Sequence, residues 1–179
     1  MEEHDKKTYR KALIFAFTLF SIIFLYANEF HYFSNTISVK RMVLISVLIG
    51  LVIGAYMIYR FVPQFKDPFE KAIIVLVVLF FTAGTMPLLA SLSNRLFSFR
   101  QIHQEEVSFF QEDAYGESRF GILEGENPPV DGFYLFFIKD NKLERVKTNE
   151  TQYRGLPKGS KIKIPIKKGL WGYEVVMLD

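Results

Sequence analysis

Three long apolar runs without a charged residue occupy the first half of the chain and constrain its fold more than any other feature. They cover residues 12–27, 42–59 and 72–92. A helix needs about 20 apolar residues to cross the hydrocarbon core of a bilayer, within a range of roughly 17–25. The first run is short, but Lys11 can extend to the headgroups and aromatic residues follow it at the other end. The sequence therefore predicts three transmembrane helices, at about residues 12–28, 42–62 and 72–93.

The first run also has the basic flank and apolar stretch of a cleaved signal peptide. Its cleavage site is poor, because Ala27 is small but the residue two positions before it is Leu25. We therefore expect an uncleaved membrane anchor.

Lysine and arginine residues close to the spans set the expected orientation, because cytoplasmic loops carry an excess of these residues. Seven of them lie in the N-terminal segment or in the loop between the second and third spans, which are on the same side of the membrane: Lys6, Lys7, Arg10, Lys11, Arg60, Lys66 and Lys71. Four flank the opposite side: Lys40, Arg41, Arg95 and Arg100. The count favours a cytoplasmic N-terminus and an external C-terminal region in a bacterial inner membrane, although the Lys40–Arg41 pair beside the second span is a signal against it.

Small residues in the second span predict a helix-packing face. Ser46, Gly50 and Gly54 recur every four residues, so they share one helix face that another backbone can approach closely. The partner can be another span or a second subunit. In the third span, Gly84 and Pro87 predict a kink, because proline removes one backbone hydrogen bond. None of the runs contains Asp, Glu, Lys, Arg or His, which weighs against a proton-coupled transporter.

The pattern changes after the third span. Residues 1–93 form the predicted membrane domain, residues 94–104 a juxtamembrane connector, and residues 105–179 a small extramembrane β domain. Short runs with two-residue periodicity predict six antiparallel strands, at residues 107–111, 118–123, 132–139, 143–148, 161–166 and 171–178. Six short strands indicate a barrel or a sandwich. The expected fold class is thus an α+β membrane protein.

Turn chemistry supports two hairpins in this domain. Asp140 and Asn141 tolerate positive φ and suit a tight turn, and Gly169 lies between the last two predicted strands. Pro165 interrupts an alternating run and places its strand at an edge or a bulge.

Positive charge is concentrated at the end of the chain and suggests a contact surface. The basic residues are Arg154, Lys158, Lys161, Lys163, Lys167 and Lys168. A membrane surface or an acidic partner would use such a patch, while lysine on an exposed strand also blocks edge-to-edge pairing. The formal net charge of the whole chain is only +3, so nucleic acid is not expected as a partner.

No catalytic or cofactor motif is recognisable, and the sequence predicts neither an enzyme nor a cofactor. Cysteine is absent, which excludes disulfides and thiolate metal sites, and the three histidines lack the spacing of a zinc site. We expect a non-enzymatic membrane protein whose β domain binds or scaffolds another envelope component, with the bilayer and a protein, or a second copy through the second span, as partners. The alternatives are a subunit of an oligomeric channel or transporter, and a membrane enzyme or its regulator acting on lipid or cell-wall material.

Overall fold

The computed structural model describes residues 3–116 and 129–178, which contain three α-helices and five β-strands. The helices are α1 (Glu3–Ser34), α2 (Val39–Phe61, followed by a 3-10 turn over Val62–Gln64) and α3 (Pro68–Leu96). The strands are β1 (His103–Tyr115), β2 (Gly132–Lys139), β3 (Lys142–Thr148), β4 (Lys161–Lys168) and β5 (Glu174–Val176).

The chain divides into two compact units. The helical unit contains Met1–Phe30 and Val43–Ala90, and the β unit contains His31–Met42 and Ser91–Asp179. The β unit therefore includes the connection from α1 to α2, which the sequence assigned to the membrane domain.

Two of the helices, α2 and α3, are long and apolar enough to cross a membrane. Only 22% of the apolar segment of α2 and 17% of that of α3 is buried within the protein. Core helices of a water-soluble protein would bury most of such a segment. That α1 also crosses the membrane stays a prediction.

The start of α3 shows why the helices extend beyond the apolar runs. Pro68 occupies the first helical position, where its missing N–H costs nothing. The Asp67 carboxylate accepts a hydrogen bond from the Phe69 N–H at 2.9 Å, and the Asp67 carbonyl accepts one from the Lys71 N–H at 3.0 Å. This capping begins the helix four residues before the apolar run at residue 72.

The five strands form one antiparallel sheet in the order β3-β2-β1-β4-β5. Both edge strands contribute to a single apolar core, which contains Val146 of β3 and Val176 of β5. The sheet is therefore strongly curved, and it forms a near-barrel around Leu135, Phe137 and Ile164, all of which are fully buried. The structure thus favours the barrel over the sandwich.

Three of the predicted strands correspond closely to β2, β3 and β4. The predicted strand at residues 107–111 lies within β1, which is more than twice as long, at His103–Tyr115. The predicted strand at residues 118–123 lies outside the described residues. The last strand is shorter than predicted, because residues 169–173 form a turn and only Glu174–Val176 pairs with β4. The β2–β3 hairpin turn is confirmed, with positive φ at Asp140 (48°) and Asn141 (59°).

Of the two positions predicted for the Pro165 strand, an edge or a bulge, the edge is wrong. Its strand, β4, lies inside the sheet, with β1 on one side and β5 on the other. The proline is tolerated because the β5 ladder ends at the pair Ile166–Val176, so no strand residue of β5 lies opposite Pro165. The Pro165 carbonyl still accepts a hydrogen bond from the Met177 N–H at 2.9 Å.

The connection between α1 and α2 closes the gap between the two edge strands. The N–H of Val176 in β5 donates to the Asn35 carbonyl oxygen at 2.8 Å. The N–H of Lys147 in β3 donates to Asn35 Oδ1, also at 2.8 Å. Asn35 is 1% exposed. One buried residue therefore joins both edges of the sheet, through its side chain to β3 and through its backbone carbonyl to β5.

The next two residues continue this closure. Thr36 pairs with Val175 as an isolated antiparallel bridge. The Ile37 N–H donates to the Glu174 carbonyl oxygen at 2.8 Å, and the Ile37 side chain packs in the barrel core. The barrel of the β unit is thus completed by residues that lie between two helices.

Candidate functional site

The small residues of α2 pack against α3 within the same chain. A Cβ atom on Gly50 would lie 2.6 Å from the Thr82 carbonyl oxygen and 2.9 Å from Ala83 Cα. A Cβ on Gly54 would lie 2.5 Å from Thr82 Oγ1, and Ser46 is 3% exposed. The predicted packing face is therefore occupied by α3.

Gly84 and Pro87 both lie within α3, which continues as a helix through the proline to Leu96. A Cβ on Gly84 would meet no atom within 4 Å. The Gly84 carbonyl accepts a hydrogen bond from the Tyr26 hydroxyl of α1. Tyr26 thus links α1 to the proline-containing segment of α3, a contact that no sequence signal indicated.

The predicted basic patch is spread over one strand and the preceding loop. Lys161, Lys163 and Lys167 alternate with the buried isoleucines of β4, so they lie on the outer face of the barrel. Arg154 and Lys158 lie in the β3–β4 loop and are exposed. Lys161 lies 3.7 Å from Glu106, which offsets part of the positive charge on this face.

An ion cluster lies at the end of the barrel near the β2–β3 turn. Lys139 Nζ donates to Glu105 Oε2 at 2.5 Å and to Glu174 Oε2 at 2.6 Å, and the lysine side chain is 9% exposed. Burial alone would lower the pKa of Lys139, but the hydrogen bonds and charges of the two glutamates outweigh it and raise the pKa. The cluster joins strands β2, β1 and β5.

Two clefts flank Ser38 and Arg41 at the start of α2. The smaller has a volume of about 270 Å³ and is lined by the cluster residues Lys139 and Glu174, among others. The larger has a volume of about 590 Å³ and is lined by Thr36, Ser38, Val39, Lys40, Arg41, Lys142, Leu143, Glu144 and Arg145. The larger cleft, which we call the basic cleft, has five charged residues in its lining.

Four cations line the basic cleft, two from the first turn of α2 and two from β3. Lys40, Arg41 and Lys142 make no ion pair with any residue that the structure describes. Arg145 lies over the Tyr134 ring, 4.6 Å from its centroid. These positive charges are thus available to a negatively charged ligand.

Glu144, the one acidic residue among the described residues that line the basic cleft, has a structural role. Glu144 accepts hydrogen bonds from the Ser38 N–H at 3.4 Å and from the Ser38 hydroxyl at 3.3 Å. Ser38 has a φ of 56°, a left-handed conformation that non-glycine residues adopt infrequently. Glu144 therefore ties the connection before α2 to β3 and brings the two pairs of cations to one cleft.

A second anchoring contact forms where the chain leaves α3. Asn94 is 1% exposed; its Oδ1 accepts from the Trp171 N–H at 3.0 Å and its Nδ2 donates to the Tyr173 carbonyl at 3.1 Å. Its own carbonyl accepts from the Leu170 N–H at 2.9 Å. A Cβ on Gly169 would overlap the Asn94 side chain, so glycine is required for this close approach.

The sequence missed the basic cleft because its four cations come from segments about 100 residues apart. Lys40 and Arg41 counted only as a weak orientation signal, and Lys142 and Arg145 as ordinary strand residues. Among the residues that the structure describes, no three His, Asp or Glu side chains are grouped as metal ligands. No protein-family model, curated protein or solved structure matches the chain.

Proposed function

We propose that the protein is a non-enzymatic integral membrane protein that holds a small β barrel at the external membrane surface, where it binds or scaffolds another envelope component. The observation that carries the proposal is the composition of the β unit. It combines the barrel strands with the start of α2 and the end of α3, two helices that are apolar enough to cross a membrane. The β unit thus contains residues from the ends of both helices.

The proposed topology has three spans, with the N-terminus and the α2–α3 loop in the cytoplasm of a bacterial cell. If α2 and α3 both cross, the start of α2 and the end of α3 lie on the same side of the bilayer. Both of these ends belong to the β unit, which is consistent with α2 and α3 crossing the membrane as an antiparallel pair. The lysine and arginine count supports an α2–α3 loop inside and hence a barrel outside.

Two features favour an anchor over an oligomeric channel. The small-residue face of α2 contacts α3 rather than remaining free for a second copy. The hydroxyl groups of Thr82 and Thr85 donate to carbonyls one turn earlier in their own helix, at 2.8 Å each, so they are satisfied without a water-filled pore. These contacts support a helix bundle that serves as a membrane anchor.

Half-buried aromatic side chains on the outer face of the β unit give it a candidate surface for a partner. On the outer face of β1 and β2, the rings of Tyr115 and Tyr134 lie 4.5 Å apart, and Phe136 follows at 6.4 Å from Tyr134. Lys147 lies over Tyr115, with its Nζ 4.6 Å from the ring centroid. Aromatic residues are enriched at the centres of protein interfaces, and tyrosine is among the residues that contribute most to binding there.

Site-directed cysteine labelling tests the topology. The chain has no cysteine, so each single-cysteine variant can be labelled at one position only. Single cysteines replace Tyr9, Lys66 and Arg154, all exposed, and intact cells are treated with a membrane-impermeant maleimide. The proposal expects labelling at Arg154→Cys alone. Labelling at Tyr9→Cys as well would mean that α1 does not cross the membrane. Labelling at Lys66→Cys would mean that the orientation is the reverse of the one proposed.

Purification in mild detergent tests the binding role. We expect an envelope protein in fixed stoichiometry with the chain, and its loss in the double variant Tyr134→Gln, Phe136→Gln. Leu143→Gln, an exposed apolar residue of β3, is the matched control and should retain the partner. A chain that purifies alone, or a partner that both variants retain, would contradict the proposed binding surface.

A further inference from the structure

We propose that the basic cleft binds the phosphate-bearing headgroup of an anionic membrane lipid. The inference rests on α2 being a membrane span, as in the proposed function. It assigns to the cleft a ligand class that is distinct from the protein partner of the outer barrel face.

The cleft has the charge that such a headgroup requires. Lys40, Arg41, Lys142 and Arg145 supply four positive charges, against one negative charge from Glu144. The glutamate oxygens face Ser38, and three of the cations have no ion-pair partner among the described residues. Arginine can bind a phosphate through two parallel hydrogen bonds, and lysine adds a point charge.

The position of the cleft in the chain identifies a lipid as the source of the phosphate. Lys40 and Arg41 are the second and third residues of α2, and an apolar segment follows them directly. Residues at the start of a membrane span lie at headgroup depth. A lipid phosphate therefore lies at the level of these two cations, whereas a dissolved phosphate would have to compete with the lipids around it.

The volume of the cleft also suits a headgroup. At about 590 Å³ it falls within the range of small-molecule sites, which is roughly 300–1,000 Å³. The exposed apolar side chain of Leu143 forms part of the wall and can contact the glycerol or acyl region.

The lipid site also explains the Lys40–Arg41 pair, which opposes the orientation rule. Two cations on the external side of a span weaken the topology signal, and they are expected there only if they have another use. Binding an anionic headgroup together with Lys142 and Arg145 provides that use.

The test is native mass spectrometry of the full chain, purified in mild detergent, during titration with defined lipids. Phosphatidylglycerol is the anionic probe, phosphatidylcholine the neutral-headgroup control, and glycerol phosphate the soluble control. We expect one retained phosphatidylglycerol per chain, weaker retention of phosphatidylcholine, and little binding of glycerol phosphate. Removing two cations with Lys142→Gln and Arg145→Gln should weaken phosphatidylglycerol binding by roughly 25-fold, or about fivefold per charge.

The matched control is the pair Lys161→Gln and Lys163→Gln, which removes the same charge from the outer face of β4. It should leave phosphatidylglycerol binding unchanged. Equal losses in both double variants, or equal retention of the two lipids, would overturn the site. Glycerol phosphate that binds as tightly as phosphatidylglycerol would overturn the lipid as its source. A chain that stays soluble without detergent would instead overturn the proposed anchor, so the two failures are distinguishable.

Discussion

Replacing Asn35 by alanine removes the side chain that joins the connection between α1 and α2 to the β3 edge of the barrel. The Lys147 N–H of β3 loses its 2.8 Å hydrogen bond to Asn35 Oδ1, at a position that is 1% exposed. Leaving a buried donor without its acceptor costs about 1–3 kcal/mol. The backbone contact from Val176 to the Asn35 carbonyl remains, so we expect a loss of about 2 kcal/mol in the free energy of unfolding.

Trp171 provides the assay, because it is the only tryptophan of the chain and it lies in the β unit. Its fluorescence during urea unfolding in mild detergent reports on that unit. With an m-value of about 1.5 kcal/mol/M, a loss of about 2 kcal/mol lowers the urea midpoint by about 1.3 M.

Asn28→Ala is the matched control. Asn28 is exposed, and its Nδ2 donates at 2.8 Å to the Phe24 carbonyl of the same helix. This substitution should change the free energy of unfolding by no more than about 0.5 kcal/mol. Equal midpoints for the Asn35 and Asn28 variants would refute the conclusion that the connection forms part of the barrel wall.

Three further substitutions test the other contacts. Gly50→Leu should destabilise the helical unit by about 1–3 kcal/mol, because a side chain there meets the backbone of α3. Gly84→Leu is the control, because its side chain faces open space. It should leave the melting temperature, followed by helical circular dichroism, unchanged or raised. Gly169→Ala should cost about 1–3 kcal/mol in urea unfolding, and the added cost should fall when Asn94→Ala removes the overlapping side chain. Lys139→Met should cost about 2 kcal/mol at neutral pH. The pKa of Lys139 is raised by its two glutamates, so this stabilisation is fully present below the unfolded-state pKa of about 10.4 and disappears as pH rises through the folded-state value. Urea midpoints of the wild type and this variant should converge only in strong alkali, and a difference that vanishes near pH 8 would contradict the assignment.

The sequence predicted the elements whose signal is local. Apolar runs without charge located the helices, and two-residue periodicity located β2, whose predicted and observed bounds agree at Gly132–Lys139. The Asp140–Asn141 turn was predictable for the same reason, because positive φ is a property of single residues.

The closure of the barrel could not be predicted, because it depends on pairings between distant segments. Residues 35–38 carry no strand periodicity, and they pair with strands about 110 and 140 residues later in the chain. The prediction for Pro165 failed for a related reason. A proline cannot donate a hydrogen bond to a neighbouring strand, but whether that strand extends far enough to need the donor depends on the length of β5, which the sequence around Pro165 does not show. The cations of the basic cleft likewise become neighbours only when Glu144 and Ser38 meet.

A disulfide cross-link tests the central claim, that the connection between α1 and α2 is part of the barrel. Thr36 and Val175 are opposite each other in an antiparallel bridge. The Cα atoms of such pairs lie about 4.5–5.5 Å apart, within the range of a disulfide. The chain has no cysteine of its own, so the double variant Thr36→Cys, Val175→Cys contains a single possible pair.

Thr36→Cys with Asp113→Cys is the control, because Asp113 lies on β1, two strands away from either edge of the sheet. Oxidation of membranes should cross-link the Thr36–Val175 pair nearly completely and leave the control pair reduced. Equal or absent cross-linking of the two pairs would contradict the closure of the barrel by this connection.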